Sequence, residues 1–341
     1  MIFQVIWFVL WGVLWAVYFM LDGFDLGAGM LMPFVAGSEA EKRAVLNSIG
    51  PVWDGNQVWL ITAGGATFAA FPGTYALMFS YLYTALLLLL FSLIIRGVAL
   101  EFRGKAEGAG WRRGWDIALW LGSLLPSLLF GVAFGNIFMG LPMDARGYHG
   151  GLLSLLNPYG LLTGAFFVLL FLVHGALWTA IKTGGRTEAR AARAANGFLW
   201  YALLVAAVAF LAYTAFATKL YANYLKAPVL ILLPAAAVLS LLAIKIFAGR
   251  DRYLRAFFAS CATILTVAAT GVAGLYPNLI PSSINPASSL TLLNSSSSPY
   301  TLKIMTAVAA VFIPIVVLYQ IWTYRVFRHK TLEEAGGESP Y

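Results

Sequence analysis

Residues 2–31 have the sequence IFQVIWFVLWGVLWAVYFMLDGFDLGAGML, in which an apolar run is followed directly by two carboxylates, Asp22 and Asp25. The run alone is long enough to cross a bilayer, which takes about 20 residues. A second stretch, GPVWDGNQVWLITAGG at residues 50–65, places Asp54 at the start of another apolar run. An ionised carboxylate in hydrocarbon costs at least ~2.5 kcal/mol, so these acids must face a protein interior, a water-filled cavity or a proton path.

The composition is that of a membrane-integral protein. Hydrophobic residues make up 61% of the 341 residues and charged residues only 11%, and the mean hydropathy is +0.81. These values fit no ordinary soluble domain. The formal net charge of +8 indicates basic loops that face anionic lipid or the cytoplasm, not nucleic acid. The single cysteine, Cys261, excludes an internal disulfide and fits a small packing residue.

Nine apolar runs predict an all-α protein with nine transmembrane helices in one polytopic domain, residues 1–341. The first run lacks a basic leader and a cleavage site, so we expect a permanent helix. The second run is the least hydrophobic and is expected to pack inside the bundle. The runs lie near residues 2–21, 52–71, 75–97, 115–135, 159–181, 197–218, 228–246, 256–276 and 302–324.

The basic residues predict the orientation in the membrane. Lys and Arg cluster after the first, third, fifth and seventh runs and in the tail, whereas the opposite loops hold only Arg146, Lys219, Lys226 and Lys303. Because basic loops stay in the cytoplasm, the N-terminus is expected outside and the C-terminus in the cytoplasm. Two pairs of glycines lie four residues apart, Gly23 with Gly27 and Gly131 with Gly135. This spacing indicates close helix packing.

The histidines give no support for a haem ligated by this chain. His149 and His329 fall in a predicted loop and in the tail, so only His174 lies within a helix and no two could face each other across a haem. We interpret His174 as a hydrogen-bonded packing residue and Met305 as apolar filler. No spacing of residues indicates a metal site, a phosphate loop or a nucleophile triad.

The spacing of the acids suits a proton path. Asp22 and Asp25 are three residues apart, as are Asp54 and Gln57, so each pair shares one helix face near a cytoplasmic end. Two such faces at one depth could place four polar groups around a hydrated crevice. Carboxylates and amides at those positions could hold a chain of water that leads protons inward.

Structural roles compete with this interpretation. Asp54 could cap the second helix, where the helix dipole favours negative charge. Asp25 could pair with Arg96 or Lys42, which lie on the same predicted side. Trp59 is about 140° round the helix from Asp54 and therefore faces elsewhere, which fits lipid contact or bundle packing.

Several strings resemble subunit II of the cytochrome bd-type quinol oxidases, and they follow in order from the first predicted helix to the ninth. They are DGFDLGAGML at 22–31, GPVWDGNQVWLITAGGATFAAFPGTYA at 50–76, RGVALEFRGK at 96–105, FGVAFGN at 130–136, PSS at 281–283 and SSSSPYTLKIM at 295–305. The WDGNQVW segment followed by GG and FAAFP is the most specific of them.

The resemblance implies two four-helix bundles plus a peripheral ninth helix, joined to a haem-bearing subunit I. That partner would hold all three haems, two of type b and one haem d, so this chain would bind none. The complex would oxidise quinol on the outer side of the bacterial cytoplasmic (inner) membrane and reduce oxygen to water with cytoplasmic protons, generating proton motive force without pumping. A very small accessory subunit, a structural quinone and membrane lipid are further expected partners.

The resemblance also assigns roles to residues of this chain. Asp54 of the WDGN motif is implied to serve the proton path, together with Asp22 and Asp25 of the DGFD motif and with Gln57 beside them. Trp59 resembles the residue at the mouth of a hydrophobic oxygen channel. No residue of this chain is expected to be catalytic itself.

Two other functions are weighed beside this one. A proton-coupled secondary transporter could use the same acids as coupling sites, but such proteins bind at the midplane between repeats, and here the acids lie near helix ends without an evident repeat. A scaffolding subunit would instead use its acids in ion pairs with Arg96 and its neighbours. The candidates for such structural or ion-pair roles are Arg96, Glu101 and Arg103.

Overall fold

Helices dominate the computed structural model, which describes residues 1–331. The bounds are α1 Ile2–Val35, α2 Glu39–Ile49, α3 Trp53–Ala70, α4 Pro72–Tyr81, α5 Tyr83–Phe102, α6 Ala109–Met139, α7 Pro158–Lys182, α8 Gly185–Asn196, α9 Phe198–Ala217, α10 Tyr221–Lys226, α11 Leu232–Ala248, α12 Tyr253–Leu275 and α13 Pro299–Val326. Two short antiparallel pairs lie in loops, β1 Met143–Asp144 with β2 Gly147–Tyr148, and β3 Asn278–Ile280 with β4 Leu290–Thr291.

Eight segments of the described chain are long and apolar enough to cross a membrane, so the protein is a multi-pass membrane protein. They coincide with every predicted run except the second. That run forms α3, whose polar residues lower its hydropathy. The count of nine crossings, the division into two four-helix bundles and the sidedness of the termini stay predictions.

Two predicted boundaries were wrong. The first helix was expected to end near residue 21 but continues to Val35, because its two acids and its glycines are buried against neighbouring helices instead of forming a loop. The third run, predicted as one helix over 75–97, is broken into α4 and α5 at Leu82, whose backbone leaves the helical region. Leu82 is buried in an apolar cluster with Met78 and Leu141.

Helix α1 lies at the centre, packed against α3, α6, α7 and α12. Its approach to α7 is so close that a Cβ atom at Gly27 would lie 1.9 Å from the carbonyl oxygen of Phe171. A Cβ atom at Gly175 of α7 would likewise lie 2.3 Å from the backbone of Gly27. The backbones of α1 and α7 are therefore in direct contact, as the glycine spacing predicted.

A layer of short helices covers the end of the bundle where the basic residues cluster, and the sequence analysis missed it. Ser38 and Glu41 form a capping box at the start of α2, and the pattern Ser-x-x-Glu would have located this helix. The Glu41 carboxylate accepts hydrogen bonds from the backbone N–H groups of Gly37 and Ser38, and from the Arg190 guanidinium of α8 at 3.3 Å. These contacts, led by the Gly37 bond, lower the pKa of Glu41.

We predict that Gly27→Ala destabilises the protein although alanine is the better helix former. The added methyl group would force α1 away from α7, and overpacking of this kind costs about 1–3 kcal/mol or more. Gly114→Ala in α6 is the matched control, because a Cβ atom there would have no neighbour within 4 Å. Thermal unfolding in detergent should show a lower midpoint for Gly27→Ala alone; equal midpoints would contradict the close contact.

Glu41→Gln should reduce stability in a pH-dependent manner. Since folding lowers the pKa of Glu41, its ionised form contributes stability above the ordinary glutamate pKa, and this contribution is lost as the pH falls through the lowered value. The difference in midpoint between wild type and Glu41→Gln should therefore shrink on acidification. Glu101→Gln, at an exposed site, should show no such trend.

Candidate functional site

Asp22 and Arg96 form a buried ion pair between α1 and α5. Arg96 Nη1 donates to Asp22 Oδ1 at 2.9 Å, and neither side chain is more than 1% exposed. The hydroxyl of Tyr18 donates to the second oxygen, Asp22 Oδ2, also at 2.9 Å. Both oxygens of Asp22 are therefore satisfied within the bundle.

Asp25 lies beside this pair and is fully buried. Its Oδ2 accepts a hydrogen bond of 2.7 Å from Asn56 Nδ2, and it interacts electrostatically with Asp22 and Arg96. Asp25 Oδ1 and the Nε and Nη2 atoms of Arg96 have no hydrogen-bond partner among residues 1–331. We refer to Asp22, Asp25 and Arg96 as the acid–arginine cluster. Two carboxylates and one guanidinium make it neutral with one bound proton and negative without it.

Local sequence explains why the cluster assembles. Asp22 and Asp25 are one helical turn apart, so both face the same neighbours of α1. Gly122 of α6 permits the close approach of α5, since a Cβ atom there would lie 2.9 Å from the Cβ atom of Arg96. A larger residue at position 122 would push α6 away from the arginine that neutralises the cluster.

A second polar network joins α13 to α3 and ends at Asp25. Asn56 Oδ1 accepts hydrogen bonds from Gln320 Nε2 at 3.0 Å and from the hydroxyl of Tyr324 at 2.7 Å. Gln320 Oε1 accepts in turn from Trp59 Nε1 at 2.7 Å. The sequence analysis missed Gln320 and Tyr324, although an amide within the apolar ninth run was a usable signal.

The structure does not bring Asp54 and Gln57 to the acid–arginine cluster. Asp54 is exposed and Gln57 half-buried, and neither has a hydrogen bond or ion pair recorded in the described part of the chain. Asn56, two residues after Asp54, faces Asp25 instead. The residue at the N-cap of α3 is Val52, so Asp54 is not the cap but lies in the first turn. Its charge is favoured there by the helix dipole.

The expected ion pairs are met in part. Arg96 forms an ion pair with Asp22 and not with Asp25. Lys42 forms an ion pair with Asp116 of α6 at 2.8 Å. Arg103 also binds Asp116, and it binds Glu39 at 2.9 Å. Glu101 is exposed, with no ion pair found for it within residues 1–331.

His174 is held by the protein on both ring nitrogens. Nδ1 lies 2.5 Å from Ser260 Oγ, and Nε2 lies 2.9 Å from the carbonyl oxygen of Met20. The ring is stacked on Phe257, with a centroid separation of 4.5 Å. This geometry agrees with a packing role. Among the described residues, no group of three or more His, Cys, Asp or Glu side chains is placed to hold a metal ion.

An apolar cavity of about 100 Å³ lies between α1, α6, α7, α9, α11 and α12. Aromatic side chains line much of it, among them Trp15, Phe134, Phe167 and Phe210. It is lined by none of the residues of the acid–arginine cluster.

Apolar helices that enclose a buried cluster of two carboxylates and one guanidinium define the class, a polytopic membrane protein with charged groups in its interior. The family model for cytochrome bd terminal oxidase subunit II matches residues 3–327. The chain belongs to this family.

Curated relatives agree with the family over nearly the whole chain. Cytochrome bd-I ubiquinol oxidase subunit 2 of Escherichia coli K12 is 37% identical, covering 98% of this chain and 96% of the relative. Cytochrome bd ubiquinol oxidase subunit 2 of Bacillus subtilis is 36% identical, covering 95% and 96%. A solved chain of the bd oxidase from Geobacillus thermodenitrificans has a TM-score of 0.75 at 18% identity, covering 96% of this chain and 99% of that chain, which shows the same fold.

This chain is therefore a subunit of a terminal oxidase, an oxidoreductase complex, and the transporter interpretation is not favoured. The family implies a partner subunit I and haem in the complex. It does not by itself assign roles to the acids described above.

Breaking the Asp22–Arg96 pair should be costly. Asp22→Asn would remove the carboxylate that is hydrogen-bonded to the buried Arg96, and breaking a buried ion pair typically costs about 3–5 kcal/mol. Adding Arg96→Gln should restore part of this loss, because the uncompensated charge is then removed. Unfolding of Asp22→Asn, Arg96→Gln and the double variant in detergent measures the coupling. The exposed pair Lys330–Glu188 is the control, with an expected coupling below about 1 kcal/mol. Additive losses at the buried pair would contradict this account.

Proposed function

We propose that this chain supplies buried acidity and proton access to a quinol oxidase of the bacterial cytoplasmic membrane, whose haems are held by subunit I. The complex would oxidise quinol and reduce oxygen to water with cytoplasmic protons. The observation that carries the proposal is the acid–arginine cluster, where Asp25 Oδ1 and two nitrogens of Arg96 are buried without a partner in the described chain. Buried polar atoms of this kind are the usual sites of ordered water.

The donor set of this chain does not fit a haem. His174 is the histidine that lies inside a predicted span, and both of its ring nitrogens are engaged by Ser260 and by the backbone of Met20. This supports our proposal that the haems of the complex, two of type b and one haem d by the family resemblance, are bound by subunit I.

An exposed face of α3 is our candidate for the contact with subunit I. Asp54, Val58, Ile61, Gly65 and Phe68 follow one another at alternating spacings of four and three residues, and all five are exposed in this chain. A carboxylate on an otherwise apolar face would be unfavourable in lipid. A partner protein that covers the face removes this cost, and Gly65 allows its helix to approach closely.

We place the entry of protons at this contact. Asp54 and Gln57 would line the route between the two subunits, while Asp22 and Asp25 lie behind α3 in the acid–arginine cluster. Trp59 is buried on the inner side of α3, at 7% exposure. Its separation from Asp54 suits an oxygen route distinct from the proton route.

Further partners follow from the same family. The apolar cavity is the candidate place for the tail of a structural quinone, since it is lined almost wholly by hydrocarbon and aromatic rings. A very small accessory subunit and membrane lipid would cover part of the remaining apolar surface. Among the eight candidate membrane spans of residues 1–331, α13 is the least buried. None of its most apolar 18-residue stretch is buried within the described chain.

Asp54→Asn should slow oxygen consumption and charge movement across the membrane by at least about tenfold, because a positioned proton donor typically contributes more than that. Assembly and the b- and d-type haem spectra of the complex should stay unchanged. Glu107→Gln, an exposed acid in the loop before α6, is the control and should turn over normally. Wild-type turnover in Asp54→Asn would remove the proton role of Asp54.

A scaffolding role is the second candidate, and the Asp22–Arg96 pair favours it. The two proposals differ in the expected effect of Asp54→Glu, which keeps the charge but moves the carboxylate. A scaffolding role predicts wild-type turnover in Asp54→Glu, because the charge is kept. A proton path through a water chain predicts slower turnover, because the carboxylate is displaced. An optical spectrum of the purified complex and of this chain alone would show directly which subunit holds the haems.

A further inference from the structure

We propose that α13 is a positioning element for Asp25, and that Gln320 and Tyr324 act through Asn56 to fix which oxygen of Asp25 receives a proton. The inference rests on the proposed function, in which the acid–arginine cluster exchanges protons during turnover. Gln320 and Tyr324 lie outside the motifs that identified the family.

The orientation of the Asn56 amide follows from its neighbours. On one side lie the carbonyl oxygen of Leu21, at 3.3 Å, and Oδ2 of Asp25, at 2.7 Å. A backbone carbonyl can only accept hydrogen bonds, so the amide group that faces it must be the NH₂. The amide oxygen therefore faces Gln320 and Tyr324, and two donors occupy both of its acceptor positions.

The orientation of Gln320 is fixed in the same way. The indole N–H of Trp59 is a donor only, so the atom of Gln320 that it contacts must be the oxygen. The NH₂ group of Gln320 is then directed at Asn56. Hydrogen bonds consequently run in one direction from Trp59 to Gln320, from Gln320 to Asn56, and from Asn56 to Asp25. Bonds in such a chain polarise and strengthen one another.

The consequence for Asp25 is a difference between its two oxygens. Oδ2 is engaged by the amide of Asn56, whereas Oδ1 has no partner among residues 1–331 and belongs to the cluster that contains the free nitrogens of Arg96. A proton that arrives at Asp25 binds at Oδ1. If the Asn56 amide were free to rotate, its oxygen would face a carboxylate oxygen and both positions would become available.

The arrangement also gives a reason for polar side chains on α13. This helix has little burial of its own, yet Gln320 and Tyr324 are its half-buried residues that reach the interior at α3. An apolar residue at either position would be more favourable in a helix with so little burial in the described chain. The acid that the amide binds accounts for these two directed contacts from α13 to Asn56.

The test uses the assembled complex with Gln320→Leu, Tyr324→Phe and the double variant. Each single variant leaves one donor on Asn56 and should lower kcat about twofold to threefold, while the double variant should lower it about tenfold, as expected for losing a hydrogen-bonded orientation. The KM for quinol and the haem spectra should not change. Infrared difference spectroscopy should show the carboxyl band of Asp25 shifted or broadened, identified by its absence in Asp25→Asn.

Tyr319→Phe is the matched control, since this tyrosine lies on the same helix and is 65% exposed. It should leave kcat and the carboxyl band unchanged. A double variant with wild-type kcat and an unaltered band overturns the inference. If the double variant does not assemble, Tyr324→Phe decides, because it removes a single oxygen atom and its effect on the band is measured in an intact complex.

Asp25→Asn separates this inference from the proposed function. Normal turnover in Asp25→Asn would refute the role of Asp25 in proton exchange, and the positioning role would fall with it. Slow turnover in Asp25→Asn, combined with wild-type kcat and an unaltered carboxyl band in the double variant, would refute only the positioning role.

Discussion

The buried ion pair between Asp22 and Arg96 is the constraint on which the structure depends. A carboxylate at the centre of the bundle is tolerable only with a cation beside it, and α5 supplies that cation at 2.9 Å. The requirement sets the rotation of α5 about its axis and the closeness of α6, which Gly122 permits. Asp25 then lies within electrostatic reach of the same guanidinium. The acid–arginine cluster thus holds one more acid than its single arginine can neutralise.

Helix α3 connects this interior to the rest of the proposed complex. Its inner side presents Asn56 and Trp59 to α1 and α13, whereas its outer side presents Asp54 and apolar residues that this chain leaves uncovered. One helix therefore carries two polar sites on opposite sides. A partner against the outer side would place the entry of protons at the junction of two proteins, with the acid–arginine cluster one helix away.

Much of the fold and part of the site could be predicted from the sequence. Long apolar runs located the membrane-crossing helices because hydrophobic length is a local property. The choice of Asp22 over Asp25 as partner of Arg96 could not be predicted, since the two acids are one turn apart and helix rotation decides between them. The contact from Asn56 to Asp25 spans 31 positions in sequence, so no local pattern reveals it. Helix α1 was predicted too short because glycine and aspartate resemble a loop until their neighbours are known.

The contact between Gly27 and Gly175 has a mechanical consequence. Because no side chains separate the two backbones at this contact, α1 and α7 cannot shift relative to each other by rearranging side chains. The helices that carry and flank the acids therefore form a stiff frame. In the proposed proton transfer, movement would be left to hydroxyl rotation, carboxyl rotation and water, which are fast and need no repacking. In the oxidase, this chain would then act as a rigid support for the groups that move.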